Sequence, residues 1–140
     1  MTDKVSKYKA KKTVIDGITF DSKVEGEYYK HLKSCKNLGV VTAFSLQPEY
    51  ILQPKFKTRN GEDIQAIKYK ADFEVDWHNG NVSVIDVKGY PTPDAKLKRK
   101  MFLAKFPEKD LVWTTYVKKH GGWIDYFELQ KIRRSNNKKS

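Results

Sequence analysis

VIDVKG, residues 84–89, sets an acid and a lysine two positions apart inside an apolar run. On an extended strand residues i and i+2 point to the same side, so Asp86 and Lys88 share a face. Two charges in a strand that otherwise reads as buried form either an ion pair or part of an active site. A solvated face is a poor fit after Val84 and Ile85, and an unused buried pair would carry a desolvation cost with nothing to offset it.

What stands opposite depends on the turn before this strand. Tyr69, Ala71, Phe73, Val75 and Trp77 alternate with Lys70, Asp72, Glu74 and Asp76, the pattern of a half-buried strand. His78-Asn79-Gly80 then leads into a strand over residues 82–88. A two-residue Asn79-Gly80 loop would pair His78 with Asn81 and put Asp72 and Asp86 on opposite faces. A three-residue loop with Gly80 left-handed pairs Trp77 with Asn81 and sets Asp72 directly opposite Asp86. We expect the three-residue loop, with Phe73 facing Ile85 and Ala71 facing Val87 on one apolar side.

Upstream, Ser22 and Glu25 form an S-x-x-E capping box, and Val24, Tyr28, Leu32 and Cys35 recur at helical spacing, predicting a helix over about residues 22–37. Glu25 lies beside the apolar stripe with Tyr28, Tyr29 and Leu32, whereas Glu27 lies on the far side. A first strand is expected over 46–57, a turn at Arg59-Asn60-Gly61-Glu62, and a second strand over 64–77. Tyr90 to Asp94 breaks the pattern before a helix over 94–105, with Leu97, Met101 and Ala104 as its apolar side. A strand over 111–118 and a closing helix over 123–132 complete an α-β-β-β-α-β-α order. An α/β fold follows, with helices flanking a mixed central sheet.

The net charge of +11 is unevenly placed. Residues 1–12 hold five lysines and one acid, and residues 131–140 hold five basic residues and no acid, so the ends account for +9. The expected organisation is a basic flexible tail (1–12), one domain (13–130) and a second basic flexible tail (131–140). Such tails supply salt-sensitive affinity for a phosphate backbone. Within the domain, Lys96, Lys98, Arg99, Lys100 and Lys105 occur with no acid from Ala95 to Pro107 and are candidate DNA-binding residues. No apolar run is long enough for a membrane span. The single Cys35 excludes an internal disulfide and a cysteine-based zinc cluster, which suits a reducing, cytoplasmic setting.

Glu25, Asp72, Asp86 and Lys88 are the residues that carry chemistry. Carboxylate oxygens suit Mg²⁺ or Mn²⁺, which bind through one or two carboxylates, with water and phosphate oxygens completing the shell. Such an ion polarises a phosphodiester and acidifies water. A neighbouring lysine would hold the attacking water and balance charge on the phosphorus. Two plainer readings stand beside this one: Asp72 also fits the wet side of a strand it shares with Glu74 and Asp76, and Glu25 also fits as the capping partner of Ser22.

Y-K-A-D-F (residues 69–73), a hairpin, and I-D-V-K-G (residues 85–89) together resemble the PD-(D/E)XK signature of the restriction-endonuclease-like superfamily, with Ala71 where proline is usual. F-D-S-K-V-E (residues 20–25) is similar to the first-helix glutamate motif of the phage junction-resolving endonuclease I family. Residues 9–118 as a whole resemble small phage-encoded nuclease-like proteins. D-V-K alone occurs by chance; the specificity lies in the combination.

The resemblance implies a restriction-endonuclease-like core with Glu25, Asp72 and Asp86 as metal ligands for Mg²⁺ or Mn²⁺. It implies Lys88 as the catalytic lysine and Gln47, in L-Q-P, as an auxiliary residue, although Gln47 reads equally as an ordinary glutamine before Pro48. The implied activity is DNA endonuclease on branched or structured phage DNA, Holliday junctions among them, in the cytoplasm of a bacterial host. A homodimer would follow from the need to cut two strands symmetrically. The alternative is a non-catalytic DNA-binding protein, or an accessory subunit of a phage replication or packaging complex, with basic tails that bind and an acidic pocket that is residual.

Overall fold

The computed structural model of the protein describes residues 12–139, so nearly all of the expected N-terminal tail lies outside the described residues. Asp16 (φ 54°) and Gly17 (φ 77°) form a two-residue hairpin turn between β1 (Thr13–Ile15) and β2 (Ile18–Phe20). Helix α1 (Lys23–Asn37) starts where Ser22 Oγ accepts the Glu25 N–H at 3.1 Å, and it buries Gly26, Tyr28, Tyr29 and Leu32.

The two long strands expected over 46–57 and 64–77 are each broken twice, and the breaks at Gln47-Pro48 and Ala71-Asp72 face one another. The first becomes β3 (Val41–Leu46), β4 (Glu49–Gln53) and β5 (Phe56–Lys57); the second becomes β6 (Asp63–Ile64), β7 (Ile67–Lys70) and β8 (Phe73–Trp77). Pro48 has no N–H for a ladder, and Gln47 takes a left-handed φ of 49°. The β3/β8 pair stays in the main sheet, while β4/β7 leaves it as a separate ribbon whose far end is the β5/β6 hairpin.

From β8 the chain turns into β9 (Val82–Val87), crosses through α2 (Pro93–Lys105) to β10 (Asp110–Val117), and passes a short 3₁₀ turn into β11 (Gly122–Asp125). The five-stranded sheet has the order β11-β10-β9-β8-β3, with β9 and β10 parallel and the other neighbours antiparallel. Helix α3 (Tyr126–Lys139) ends the described chain. The mixed α/β architecture agrees with the sequence.

Three expectations are corrected. Residues 122–125 form an edge strand and not the start of a helix, because Gly121 and Gly122, both at positive φ, turn Trp123 and Ile124 back onto β10; Asp125 Oδ1 then caps α3 by accepting the Phe127 and Glu128 N–H groups. The stretch expected to be a C-terminal tail continues α3 to Lys139, since nothing in Lys131 to Lys138 breaks a helix. In α2 the buried residue is Phe102, flanked by half-buried Met101; Leu97 and Ala104 face solvent because Phe102, with Phe106 one turn on, fills the space against Tyr50 and Tyr69.

The core lies on both sides of the sheet. Phe20, Tyr28, Tyr29, Leu32, Val41, Phe73, Val75 and Ile85 cluster between α1 and one face. Tyr50, Leu52, Tyr69, Ala71, Val84 and Phe102 cluster where the β4/β7 ribbon and α2 cover the other.

Candidate active site

The turn before β9 decides the site, and it is the three-residue form. Gly80 has φ 92°, its N–H donates to Trp77 O at 3.0 Å, and Trp77 N–H donates to Asn81 O at 2.9 Å. The ladder pairs Asp76 with Val82 and Phe73 with Ile85, so one further step sets Asp72 opposite Asp86. The Asp72 N–H lies 3.1 Å from both Ile85 O and Asp86 Oδ1, and Asp72 Oδ2 accepts the Val87 N–H at 2.8 Å. The expected Ala71–Val87 pairing on one apolar side does not form. The chain bends at Asp72, so Ala71 packs in the α2-side cluster while Phe73, Ile85 and Val87 belong to the α1 side.

Asp72 sits in the bend between β7 and β8, facing the Gln47-Pro48 break between β3 and β4. Gln47 N–H donates to Asp72 O at 2.9 Å, and Ala71 N–H donates to Pro48 O at 3.0 Å, so the two breaks are tied together. A cavity of about 150 Å³ opens here, lined by Glu25, Gln47 and Asp72 together with Leu46 and the strand Ile18–Phe20. The β1/β2 hairpin forms one wall because Gly26 lets it lie close to α1: a Cβ there would stand 2.8 Å from Ile15 Cδ1. Asp16 holds the hairpin's turn by accepting the Tyr29 hydroxyl at 2.8 Å and the Lys33 ammonium.

Asp86 lies behind Asp72, only 3% exposed. Its Oδ1 accepts the Asp72 N–H and its Oδ2 the Tyr69 hydroxyl. Lys88 follows on the same side of β9; its N–H donates to Thr114 O at 2.8 Å and its Nζ lies 5.2 Å from the Trp113 ring centroid. Burial pushes Glu25 up to about 7, assisted by the charges of Asp21 and Asp86 and opposed by Lys88. Burial pushes Asp72 up to about 8, with Asp86 and Glu25 adding to it and the Val87 N–H and Lys88 opposing. Asp86 is also raised by burial, against the Lys88 charge and its two hydrogen bonds. Burial raises all three acids, and the charge of Asp86 adds to the shift at both Glu25 and Asp72, so the cluster is short of positive charge.

Among the described residues, no group of three or more histidine, cysteine or acidic side chains is placed to hold a metal ion together. The donor chemistry fits a hard divalent ion all the same, because Mg²⁺ takes one or two carboxylates and fills its remaining positions with water and phosphate oxygens. Asp72 with Asp86 or Glu25 would supply such an open pair, and a dication there would offset the charge of the buried acids.

The basic residues of α2 are dispersed. At about 3.6 residues per turn, Lys96 and Lys100 lie on the outer side, Lys98 and Lys105 on one flank and Arg99 on the other. Lys98 pairs with Asp94 at 3.7 Å. Arg99 is half-buried, its guanidinium 4.3 Å from the Phe127 ring centroid and 5.7 Å from that of Trp113. It ties α2 to α3 and β10 and leaves Lys96, Lys100 and Lys105 as the exposed positions. Two residues that touch Asp86 or Lys88, Tyr69 and Trp113, were not singled out from the sequence. Tyr69 appears there only as one member of an alternating strand, and its signal is an aromatic three residues before Asp72; Trp113 gives none beyond its place in a β-rich run.

A five-stranded mixed sheet with helices on both faces, and an acid–acid–lysine cluster where one ribbon leaves that sheet, define this protein as a mixed α/β domain with a buried acidic centre. The chain belongs to a family described as "Protein of unknown function (DUF1064)", whose profile matches residues 5–122. All the candidate residues fall inside that match. No curated protein and no solved structure matches the chain. Among the described residues no helix is long and apolar enough to cross a membrane.

Proposed function

We propose that this protein is a metal-dependent DNA endonuclease with a restriction-endonuclease-like core, acting on branched or structured DNA. The observation that carries the reading is the register of β8 and β9, which sets Asp72 against Asp86 with Lys88 two residues on and Glu25 sharing the cavity. A surface that only bound DNA would gain nothing from three acids drawn together and partly buried, which disfavours an accessory role.

Asp72, Asp86 and Glu25 would be the residues to hold Mg²⁺ or Mn²⁺, which would supply Lewis acidity to a scissile phosphate and to the attacking water. The protein's own part is positional. The Val87 N–H fixes Asp72, the Asp72 N–H and Tyr69 fix Asp86, and Lys88 places a cation beside both for the charge that builds on the phosphate oxygens. Gln47, at the cavity rim, orients substrate or water. The exposed Lys96, Lys100 and Lys105 and the basic ends attract the phosphate backbone. Symmetric cutting of a junction calls for a two-fold pair of these chains.

The test is incubation of labelled four-way junction, flap, duplex and single-stranded DNA with Mg²⁺, Mn²⁺ or EDTA. Cleavage that needs the metal and favours junction or flap is the expected result. Tight DNA binding with no cleavage under any metal would overturn the enzymatic reading in favour of a binding protein.

A further inference from the structure

Asp86 and Lys88 are both held by one buried indole. Trp113 stands opposite Asp86 on the parallel neighbouring strand and is 1% exposed. Its Nε1–H donates to the Tyr69 hydroxyl oxygen at 2.9 Å, and that hydroxyl donates to Asp86 Oδ2. Lys88 Nζ lies 5.2 Å from the centroid of the same indole.

The direction of this chain of bonds is fixed by chemistry. An indole N–H can only donate, so the phenolic oxygen must accept from it, and the phenol's single proton is left for Asp86. Asp86 then receives one donor on each oxygen, Tyr69 on Oδ2 and the Asp72 N–H on Oδ1, which sets the plane of the carboxylate. Packing alone would not call for a phenol. The Tyr69 ring lies against Phe102 at 5.2 Å between centroids, where phenylalanine would serve equally and bury no hydroxyl.

We propose that Tyr69 and Trp113 are positioning residues for the acid–lysine pair, Trp113 aiming the Tyr69 proton at Asp86 and holding Lys88 beside it. The catalytic meaning of this bracket rests on the nuclease reading, but the bracket itself is readable without cleavage. Removing a hydrogen-bond partner of a metal-binding side chain typically lowers metal affinity or activity about 10–100-fold.

In the full-length protein, the Trp113 indole N–H resonance is expected to shift when Mg²⁺ is added, because Asp86 is linked to it through one hydroxyl. In Tyr69→Phe that response should vanish. Mn²⁺ affinity and kcat should fall about 10–100-fold, with KM for DNA nearly unchanged and the thermal transition still cooperative. A Tyr69→Phe protein with wild-type metal affinity and kcat overturns the positioning role while leaving the nuclease reading intact. Should that variant fail to fold, a wild-type protein that binds Mg²⁺ with no change at the Trp113 indole overturns it as well. A wild-type protein that neither binds Mg²⁺ nor cuts DNA removes the nuclease reading, and the proposal with it.

Discussion

The two faces of the central sheet bury different chemistry. On the α1 side the core is made of groups that stay neutral near pH 7, such as Leu32, Val41, Phe73, Val75 and Ile85, and Ser83 accepts the Trp77 indole N–H at 2.8 Å. On the α2 side, Val84 and Phe102 begin a similar core, but it runs directly into the buried carboxyl of Asp86. Among the described residues no buried side-chain polar atom lacks a hydrogen-bond partner, so the second face is satisfied too, by specific donors and not by apolar contact. One face supplies stability; the other gives up some of it to keep an acid out of water. Substitutions on the two faces should therefore separate into losses of stability and losses of chemistry.

The largest separation is expected at Asp86 and Lys88. Asp86→Ala should abolish cleavage while DNA binding, followed by gel shift, is kept or strengthened, because one negative charge beneath the site is gone. Lys88→Ala should also abolish cleavage with Mn²⁺ binding retained. Cleavage surviving either change would mean that the polar face is not the reacting one. Glu25→Gln should come next, with damage comparable to these, whereas the exposed Glu27, paired with Lys30 at 3.3 Å, should tolerate the same change with little effect. Equal effects in a cleavage assay would show that the cavity beside Asp72 is not the site.

On the dry face, Leu32→Ala should lower unfolding free energy by about 2–5 kcal/mol in urea titration, since Leu32 is fully buried, yet leave Mn²⁺ affinity of the folded protein unchanged. Lost metal affinity would mean that the faces are coupled.

Acidity sharpens the same contrast. Asp72 is raised to about 8 from 3.8 and Glu25 to about 7 from 4.5, so through about pH 4 to 8 the native chain keeps protons that the unfolded chain has lost. The stability contributed by the neutral forms is full below about pH 4 and lost as pH rises through those folded values. The melting temperature of metal-free protein should fall from pH 5 toward pH 8.5, Asp72→Asn should flatten the fall, and Mg²⁺ should raise the melting temperature most at the alkaline end, where the acids are ionised. A flat profile would show that burial does not hold Asp72 and Glu25 protonated in the native chain.

The smallest effects belong to α2. Lys96→Ala and Lys100→Ala should each reduce the salt slope of DNA binding by about 1 without changing its sequence preference. Arg99→Ala should leave the slope alone and lower stability, because its guanidinium packs on Phe127 and Trp113.

How far the sequence revealed this molecule depends on whether a local rule governed the residue. Gly80 fixed the loop length and through it the register of Asp72 against Asp86, because a slip of one residue reverses every side chain. Ser22 fixed the start of α1 and hence the face bearing Glu25. The break at Gln47-Pro48 has a visible proline although the alternation around it predicts continuous strand, and the matching bend at Ala71-Asp72 has none, since it is imposed by its neighbour across the ladder. Asp16-Gly17 is a hairpin signal, but the flanking strands have only three residues each, too few for alternation to mark them. Trp113 could not be joined to Asp86 from sequence: parallel pairing across α2 sets their alignment, and the crossover leaves no local mark.

The knot of bonds around Asp72 has a kinetic consequence. Gln47, Ala71 and Asp72 lie outside regular strands, yet their amides are spent on Asp72 O, Pro48 O and Ile85 O. Their hydrogens should exchange with solvent as slowly as those of the central sheet, while amides at the tip of the β5/β6 hairpin exchange early. Opening of the ribbon beyond Tyr50 would then stop at this knot, and the floor under the three acids would hold its shape while the arm above it moves.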